Sequence, residues 1–374
     1  MDSVVGSLNK TLISLFSEIS LDVSLLFLVA VIIPGIVIFL IMTVNAIVAV
    51  YMERKVSAFM QDRLGPMEVG IFGFKGGKKF WGGIGQTIAD AIKLLVKEDI
   101  IPKDANKFLM VLAPFIIFIG AFVTFIGVPF SNGLVISDFN IGILYVIAMS
   151  SVGVIGIILA GWASNNKWSL YGAMRAAAQI ISYEIPIGLS LLLIVIVVGS
   201  LEMSAIVNWQ AENRWFIIHS PFALLGFLIY FISGVAETNR VPFDIPEAES
   251  ELVAGWMTEY SGFRWALFFL SEYTNMLIVC IIASIVFLGG WLSPFQLFDI
   301  PGIEIPESFF VLDGFYMGMF WLLLKTVLLI FVMMWIRWTF PRLRVDQLMY
   351  LCWKVFIPFA LANLVFVCIW ELLF

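Results

Sequence analysis

The residues best suited to chemistry are acids placed where lipid-exposed protein rarely keeps them. Residues 237–251 read Glu-Thr-Asn-Arg-Val-Pro-Phe-Asp-Ile-Pro-Glu-Ala-Glu-Ser-Glu, a connector between two apolar runs that sets Glu237, Asp244, Glu247, Glu249 and Glu251 against one Arg240. Val241-Pro242-Phe243 and Leu252-Val253-Ala254 embed those carboxylates in apolar surroundings. Crowded, partly buried carboxylates cannot all stay ionised, so they titrate as a coupled set and can take up protons. If a short helix follows Pro246, Glu247 and Glu251 share a face and Glu249 is displaced to another. A solvated acidic loop is the plainer alternative.

Three more charges fall inside apolar runs: Glu184 in Ser182-Tyr183-Glu184-Ile185-Pro186, Glu272 in Ser271-Glu272-Tyr273, and Lys325. An ionised group at the centre of a spanning helix costs about 2.5–3.5 kcal/mol on insertion scales, so each needs a partner, water or a proton. Proton transfer is one reading; a structural ion pair between Glu272 and Lys325 is another. A second polar group, Gln61, Arg63, Asp90 and Lys93, lies in a region otherwise apolar and aromatic. Membrane anchoring accounts for Arg54 and Arg63 alone, and Asp90 and Lys93, one turn apart, can pair. The concentration of all of them suits a long apolar cavity with a few polar groups near one end, as an amphiphilic small molecule requires.

The elements that must position these residues are membrane helices. The chain has 374 residues, 61% hydrophobic and 13% charged, with a mean hydropathy of +1.03, against roughly a quarter charged in globular proteins. A bilayer core about 30 Å thick needs about 20 apolar residues per helix. Eight runs qualify, near 25–52, 107–130, 140–163, 175–200, 219–236, 262–292, 314–338 and 350–373. The expected fold is an all-α integral membrane protein, a single domain over 1–374, with about eight transmembrane helices and amphipathic helices on the cytoplasmic side.

The even count puts both termini on one face. Eighteen of the 21 Lys and Arg residues fall on the other face, leaving Lys10, Arg214 and Lys325, so the termini are expected on the exoplasmic side. The first run reads as an uncleaved signal anchor. Small residues Gly153, Gly156, Ala160, Gly161, Ala173, Ala176, Ala177 and Ala178 suit close helix packing. Trp81, Ile84, Ile88, Ile92, Leu95 and Val96 recur at helical spacing and predict an amphipathic helix at the interface.

Other chemistries find little support. The glycines between 65 and 85 have neither dinucleotide nor P-loop spacing. Cys280, Cys352 and Cys368 lie in apolar runs at spacings that match no zinc or iron–sulfur site, and His219 reads as an interfacial side chain. The net charge of −6, with basic residues explained by topology, gives no reason to expect nucleic acid as a partner. A secondary transporter would show matching broken helices in two halves, and no such repeat is visible.

Seven ordered segments carry a resemblance. They are Glu53-Arg54-Lys55 with Arg63-Leu64-Gly65-Pro66; Ala89-Asp90-Ala91-Ile92-Lys93-Leu94; Gly161-Trp162-Ala163-Ser164-Asn165-Asn166-Lys167; Ala178-Gln179-Ile180-Ile181-Ser182-Tyr183-Glu184; residues 237–251; Glu259-Tyr260-Ser261; and residues 337–347. Together they resemble subunit 1, the H subunit, of respiratory complex I, the proton-pumping NADH:quinone oxidoreductase. The resemblance implies a translocase subunit of the respiratory chain in a bacterial plasma membrane, with quinone as bound substrate and no metal, flavin or iron–sulfur cluster in this chain.

Its implied partners are a hydrophilic arm carrying the terminal iron–sulfur cluster, the membrane-arm proton-pumping subunits and membrane lipid. Arg54, Gln61, Arg63, Asp90 and Lys93 would shape the quinone chamber. Glu184, Glu237, Asp244, Glu247, Glu249, Glu251 and Glu272, with Lys325, would belong to a proton path. Thr87 stands where the family usually has Pro, and 75–81 looks like a local insertion. The related subunit of a membrane-bound hydrogenase or ferredoxin-driven complex shares these helices and is the nearest rival.

Overall fold

The structure, a computed structural model, describes residues 23–70, 82–246, 249–294 and 315–373. The expected insertion at 75–81, Lys10, Trp81 and Glu247 fall outside the described residues, as does the side chain of Glu249. Every regular element among the described residues is helical, and seven helices are long and apolar enough to cross a membrane. An eighth, Pro221–Glu237, is apolar but shorter, about 25 Å at 1.5 Å per residue.

In chain order we label α1 (Val23–Met60), α2 (Gly85–Val96), α3 (Lys107–Thr124), α4 (Gly142–Ala163), α5 (Lys167–Val198), α6 (Met203–Glu212), α7 (Pro221–Glu237), α8 (Gly262–Phe287) and α9 (Phe315–Thr339). The last span, α10 (Val345–Leu373), contains a π-helical turn at Leu351–Phe356. Helix α8 is the centre of the bundle. It packs against α1, α2, α3, α7 and α9, and residues Tyr273 and Met276 through Phe287 are buried on every side, which fits a helix apolar all round.

Two boundaries differ most from the sequence reading. The first helix runs on to Met60 rather than ending near 52, so Glu53-Arg54-Lys55 lies within it. Helix α5 begins at Lys167 rather than 175 because Asn166 caps it, its side chain accepting from the Trp168 N–H at 3.0 Å. Hydropathy misses that turn because Lys167 and Arg175 dilute it. The amphipathic helix forms as α2, with Ile92, Leu95 and Val96 exposed.

Small residues set the interhelical distances, as expected where lipid removes any hydrophobic drive between helices. Ala160, Ala173 and Ala176 are fully buried, whereas Ala178 is exposed. A Cβ on Gly161 would lie 2.3 Å from Ala173 Cβ, and one on Gly172 would lie 2.7 Å from Gly255 Cα. The second approach presses α5 against the backbone that follows the acidic connector. Gly172→Val is therefore expected to cost about 1–3 kcal/mol through overpacking. A thermal-unfolding scan of the purified protein measures this, with Gly153→Ala as the neutral comparison, since a Cβ on Gly153 would meet nothing within 4 Å.

Candidate functional site

The buried polar residues assemble from one carboxylate outward. Glu53 of α1 is buried and receives three donors from distant parts of the chain. Tyr273 Oη of α8 donates to Glu53 Oε2 at 2.6 Å, Arg240 Nη1 from the connector donates to the same oxygen at 3.2 Å, and Arg337 Nη1 of α9 donates to Oε1. The Arg240 guanidinium also lies 4.3 Å over the Tyr273 ring and is attracted electrostatically by Glu272. Burial acts to weaken the Arg240 charge, but Glu53 and its neighbours more than offset this and hold its proton more tightly than usual. Two acids and two arginines thus meet inside the membrane domain, which is how a low-dielectric interior tolerates charge. Arg240 Nε and Nη2 remain buried with no acceptor of hydrogen-bonding geometry.

Three residues before Arg240, the end of α7 carries Glu237, which is electrostatically coupled to Glu184 of α5. The serines of α4 stand beside the two acids, Ser150 next to Glu237 and Ser151 next to Glu184, and both hydroxyls donate to Ile147 O, at 2.9 and 3.0 Å. The local backbone explains how α5 presents Glu184. Pro186 has no N–H, which leaves the Ser182 carbonyl, four residues earlier, without its helical donor. Cys352 Sγ in the π turn of α10 donates to that carbonyl at 3.1 Å, and Trp353 Nε1 to Ser182 Oγ at 3.3 Å.

One buried amide holds the connector to α5. Gln179 Nε2 donates toward Ala236 O at 2.7 Å, Phe243 O at 2.8 Å and Asn239 Oδ1 at 3.1 Å, fixing the turn that joins Glu237 to Arg240. Farther along, Leu343 N–H donates to Pro242 O at 3.0 Å. Asp244 is half-buried, and Glu251 is exposed, in an ion pair with Arg175 of α5 at 2.7 Å. The Arg175 hydrogen bond holds the Glu251 carboxyl below the usual carboxylate range, with the charges of Arg175 and Arg342 adding to it. Glu251 is therefore a fixed anion at neutral pH rather than one of the acids raised by crowding.

On the side of α1 facing the 61–66 turn, a cavity of about 460 Å³ is lined by Arg54, Ser57, Ala58, Arg63, Leu64, Gly65 and Pro66. Lys55 Nζ, donating to Leu64 O at 3.2 Å, ties the turn back to α1. Gly65 adopts φ +67° where it passes Ala58, a conformation glycine accepts without strain. Arg54 closes one wall by pairing with Asp90 Oδ2 at 2.6 Å, and Gln86 Nε2 donates to the other Asp90 oxygen at 2.9 Å.

The structure therefore puts Arg54 and Arg63 in the lining and pairs Asp90 with Arg54 from outside it, and leaves Gln61 and Lys93 exposed outside the lining. The expected Asp90–Lys93 pair is replaced by Arg54–Asp90. Lys325 does not meet Glu272. Its Nζ donates to Leu288 O, Gly290 O and Leu292 O at 2.6–2.9 Å, the carbonyls beyond the end of α8, and it lies 4.1 Å over the Trp215 ring. Glu272 lies 16 residues before Leu288, about 24 Å along the axis, so Lys325 caps a helix end far from Glu272. Glu53, Arg337 and Tyr273 were not singled out as site residues from sequence. The available signal was the position of Glu53, an acid continuing an apolar helix.

The sequence profile of the NADH dehydrogenase family matches residues 33–368. Among curated proteins, the chain is 53% identical over 327 residues to a protein from Chlorobaculum tepidum, covering 86% of this chain and 87% of that one. It is 52% identical over 328 residues to one from Chlorobium luteolum (86% and 84%), and 48% identical over 332 residues to one from Bacteroides thetaiotaomicron (88% and 87%). Each of the three is named as the H subunit of an NADH-quinone oxidoreductase.

Two outcomes follow from the geometry. Glu53→Gln leaves two arginines facing a neutral amide, and breaking a buried ion pair on one side costs about 3–5 kcal/mol. The loss should appear in thermal unfolding and be partly recovered when Arg337→Gln is added. Because the Glu251 carboxyl is depressed, the clasp with Arg175 is complete above the ordinary carboxylate range and weakens only as pH falls through the lowered value. Hydrogen exchange across 239–254 should therefore show no clasp-dependent change between about pH 5 and 8, and Arg175→Met should speed it about two- to five-fold throughout, the size of a partly exposed ion pair.

Proposed function

The chain belongs to the NADH dehydrogenase family, with the H subunits of NADH-quinone oxidoreductase as relatives, and from that premise we propose that this membrane subunit of complex I forms the quinone-binding chamber and couples quinone reduction to proton movement. One observation carries the reading: the turn from Glu237 to Arg240 joins an acid pair to a charge-paired cluster, with a polar-lipped cavity on the same helix as Glu53. Arg54 and Arg63 at the cavity, with Asp90 paired to Arg54, supply polar groups for a quinone headgroup, and the apolar stretches of α1 and α2 suit its isoprenoid tail.

Reduction of a quinone to the quinol takes two electrons and two protons. The electrons come from an iron–sulfur centre in a neighbouring subunit of the hydrophilic arm. Change of charge at the headgroup alters the field at Glu53–Arg240–Arg337 and, through the adjacent turn, at Glu237 and Glu184, whose protons then move toward the pumping subunits of the membrane arm. Asp244 and Glu272 extend that path, with Glu247 and Glu249 candidates for it by sequence, Glu251 holds the connector in place, and Gln61 and Lys93 are candidates for the chamber's outer rim. Lys325 stands outside the path. The subunit lies in the plasma membrane with its basic face inward and its termini exoplasmic, the orientation that the distribution of Lys and Arg favours.

The assembled complex in proteoliposomes tests both halves. Removing a charged donor from a ligand costs about 1.5–3 kcal/mol, so Arg63→Ala is expected to raise the KM for quinone about ten-fold or more. Glu184→Gln and Glu237→Gln are expected to lower the number of protons moved per electron. A purified assembly that reduces no quinone would favour a hydrogenase-like complex, and unchanged pumping in both glutamine variants would refute the coupling role.

A further inference from the structure

Helix α2 has little of its own to hold it in place. It is 12 residues long, a length at which an isolated helix is marginal in water, and its apolar residues Ile92, Leu95 and Val96 are uncovered by this chain. Its Asp90 nevertheless meets Arg54 at 2.6 Å, and Arg54 lines the cavity. Ties at the two ends supply the placement. Before the helix, Tyr51 Oη of α1 donates to Gly82 O at 3.0 Å. Gly83 passes Pro66 of the cavity lining so closely that a Cβ there would lie 2.3 Å from the Pro66 oxygen.

Beyond the helix, three residues at the start of α8 grip the stretch 97–100. Ser261 Oγ accepts from the Ile100 N–H at 3.2 Å and donates to Glu98 O at 3.3 Å. A Cβ on Gly262 would lie 2.9 Å from Lys97 O. Arg264 Nε donates to Asp99 Oδ1 at 2.9 Å, and Nη2 donates to the same oxygen. The partners are unequal, the Arg264 side chain being 4% exposed and that of Asp99 46%. An arginine that only anchored a helix end to the basic face would keep its guanidinium in water or among headgroups, as long basic side chains do near helix ends. Arg264 is instead buried against the segment that follows α2, where its charge is tolerated because Asp99 answers it.

We propose that Arg264 is a positioning residue for quinone binding: by holding Asp99 it keeps α2 against α1, and so keeps Asp90 on Arg54 and the Arg54 guanidinium in the cavity wall. With the entry to α2 tied to α1 and to Pro66, opening the clamp frees the far end of the helix and carries Asp90 away from Arg54. A misplacement of about 1 Å is enough to spoil a positioned contact. Neither Arg264 nor Asp99 lines the cavity, so the clamp acts on how firmly quinone is bound and not on its reduction. Helix α8 also carries Tyr273, the donor to Glu53, and the cavity wall and the buried charge cluster are thereby both fixed to one helix.

The clamp has this role only if the cavity is the quinone chamber, and the experiment separates the two. Steady-state rates of the assembled complex with a short-tail ubiquinone or menaquinone, whichever it reduces faster, would be compared for Asp99→Asn, Asp99→Glu, the double variant Asp99→Asn/Arg264→Met, and Arg63→Ala. Asp99→Asn is expected to raise the KM for quinone about two- to five-fold, the range of an ion pair with one exposed partner, with kcat unchanged, and to speed amide exchange across α2. Asp99→Glu, which keeps the charge, should return KM toward wild type. The double variant leaves no unpaired charge buried, so it should assemble and show the same rise even where Asp99→Asn assembles poorly. With Arg54→Met already in place, Asp99→Asn should add little, because the contact it disturbs is gone; an equal rise in both backgrounds would mark a general loss of order and overturn the clamp. Wild-type KM in Asp99→Asn and the double variant, beside a raised KM in Arg63→Ala, would overturn the clamp and leave the chamber standing. Wild-type KM in Arg63→Ala as well would overturn the chamber, and the clamp's role with it.

Discussion

A buried carboxylate shared by two arginines is the constraint around which this protein is arranged. Glu53 comes from α1, Arg240 from the connector, Tyr273 from α8 and Arg337 from α9, so four separated stretches must converge for any of these charges to be tolerated. A buried ion pair adds little stability compared with well-packed apolar residues, yet removing one partner is expensive because the others are left unpaired. The cluster therefore acts on arrangement rather than on net stability: helices that pack equally well in another register would strand a charge.

The connector illustrates how such an arrangement is held without regular secondary structure. Irregular backbone at membrane depth survives only where its polar groups are satisfied by protein or water. Here the satisfaction comes from the helices around it, through Gln179 on α5, the Leu343 N–H before α10 and Arg175 at the connector's far end. The same logic appears in reverse at Pro186, where a helix loses a donor and the π turn of α10 supplies one from Cys352. Both devices border the acid pair, so the acids sit where backbone has been freed from its own ladder and tied to neighbours instead.

Much of this was legible in the sequence because it is written locally. Apolar runs separate cleanly from connectors, and the concentration of acids at 237–251 is visible without coordinates. What could not be read is pairing. The Glu53 partners Arg240 and Arg337 lie 187 and 284 residues away, and nothing in the spacing distinguishes Glu53 from an ordinary helix-end acid. Local spacing also suggested pairs that tertiary contacts replace: Asp90 goes to Arg54 across two helices rather than to Lys93 one turn away, and Lys325 turns to carbonyls instead of Glu272. Hydrophobic periodicity places α2, but not the fact that Ile92, Leu95 and Val96 remain uncovered by this chain.

The two polar clusters differ in a way that bears on how charge in the cavity would be felt. Around Glu53 two guanidiniums and a phenol hold one carboxylate, so that cluster is poor at exchanging protons and good at holding shape. Around Glu237 and Glu184 the neighbours are hydroxyls, which can either give or accept a hydrogen and so stabilise both forms of an acid. At an effective dielectric near 20, a unit charge about 10 Å from a carboxyl acts with about 1.7 kcal/mol, a little more than one unit of proton affinity. That is enough to redistribute a proton between two coupled acids without any large movement of the helices. On the proposed reading, the paired cluster keeps its shape while the acid pair responds to a charge placed in the cavity.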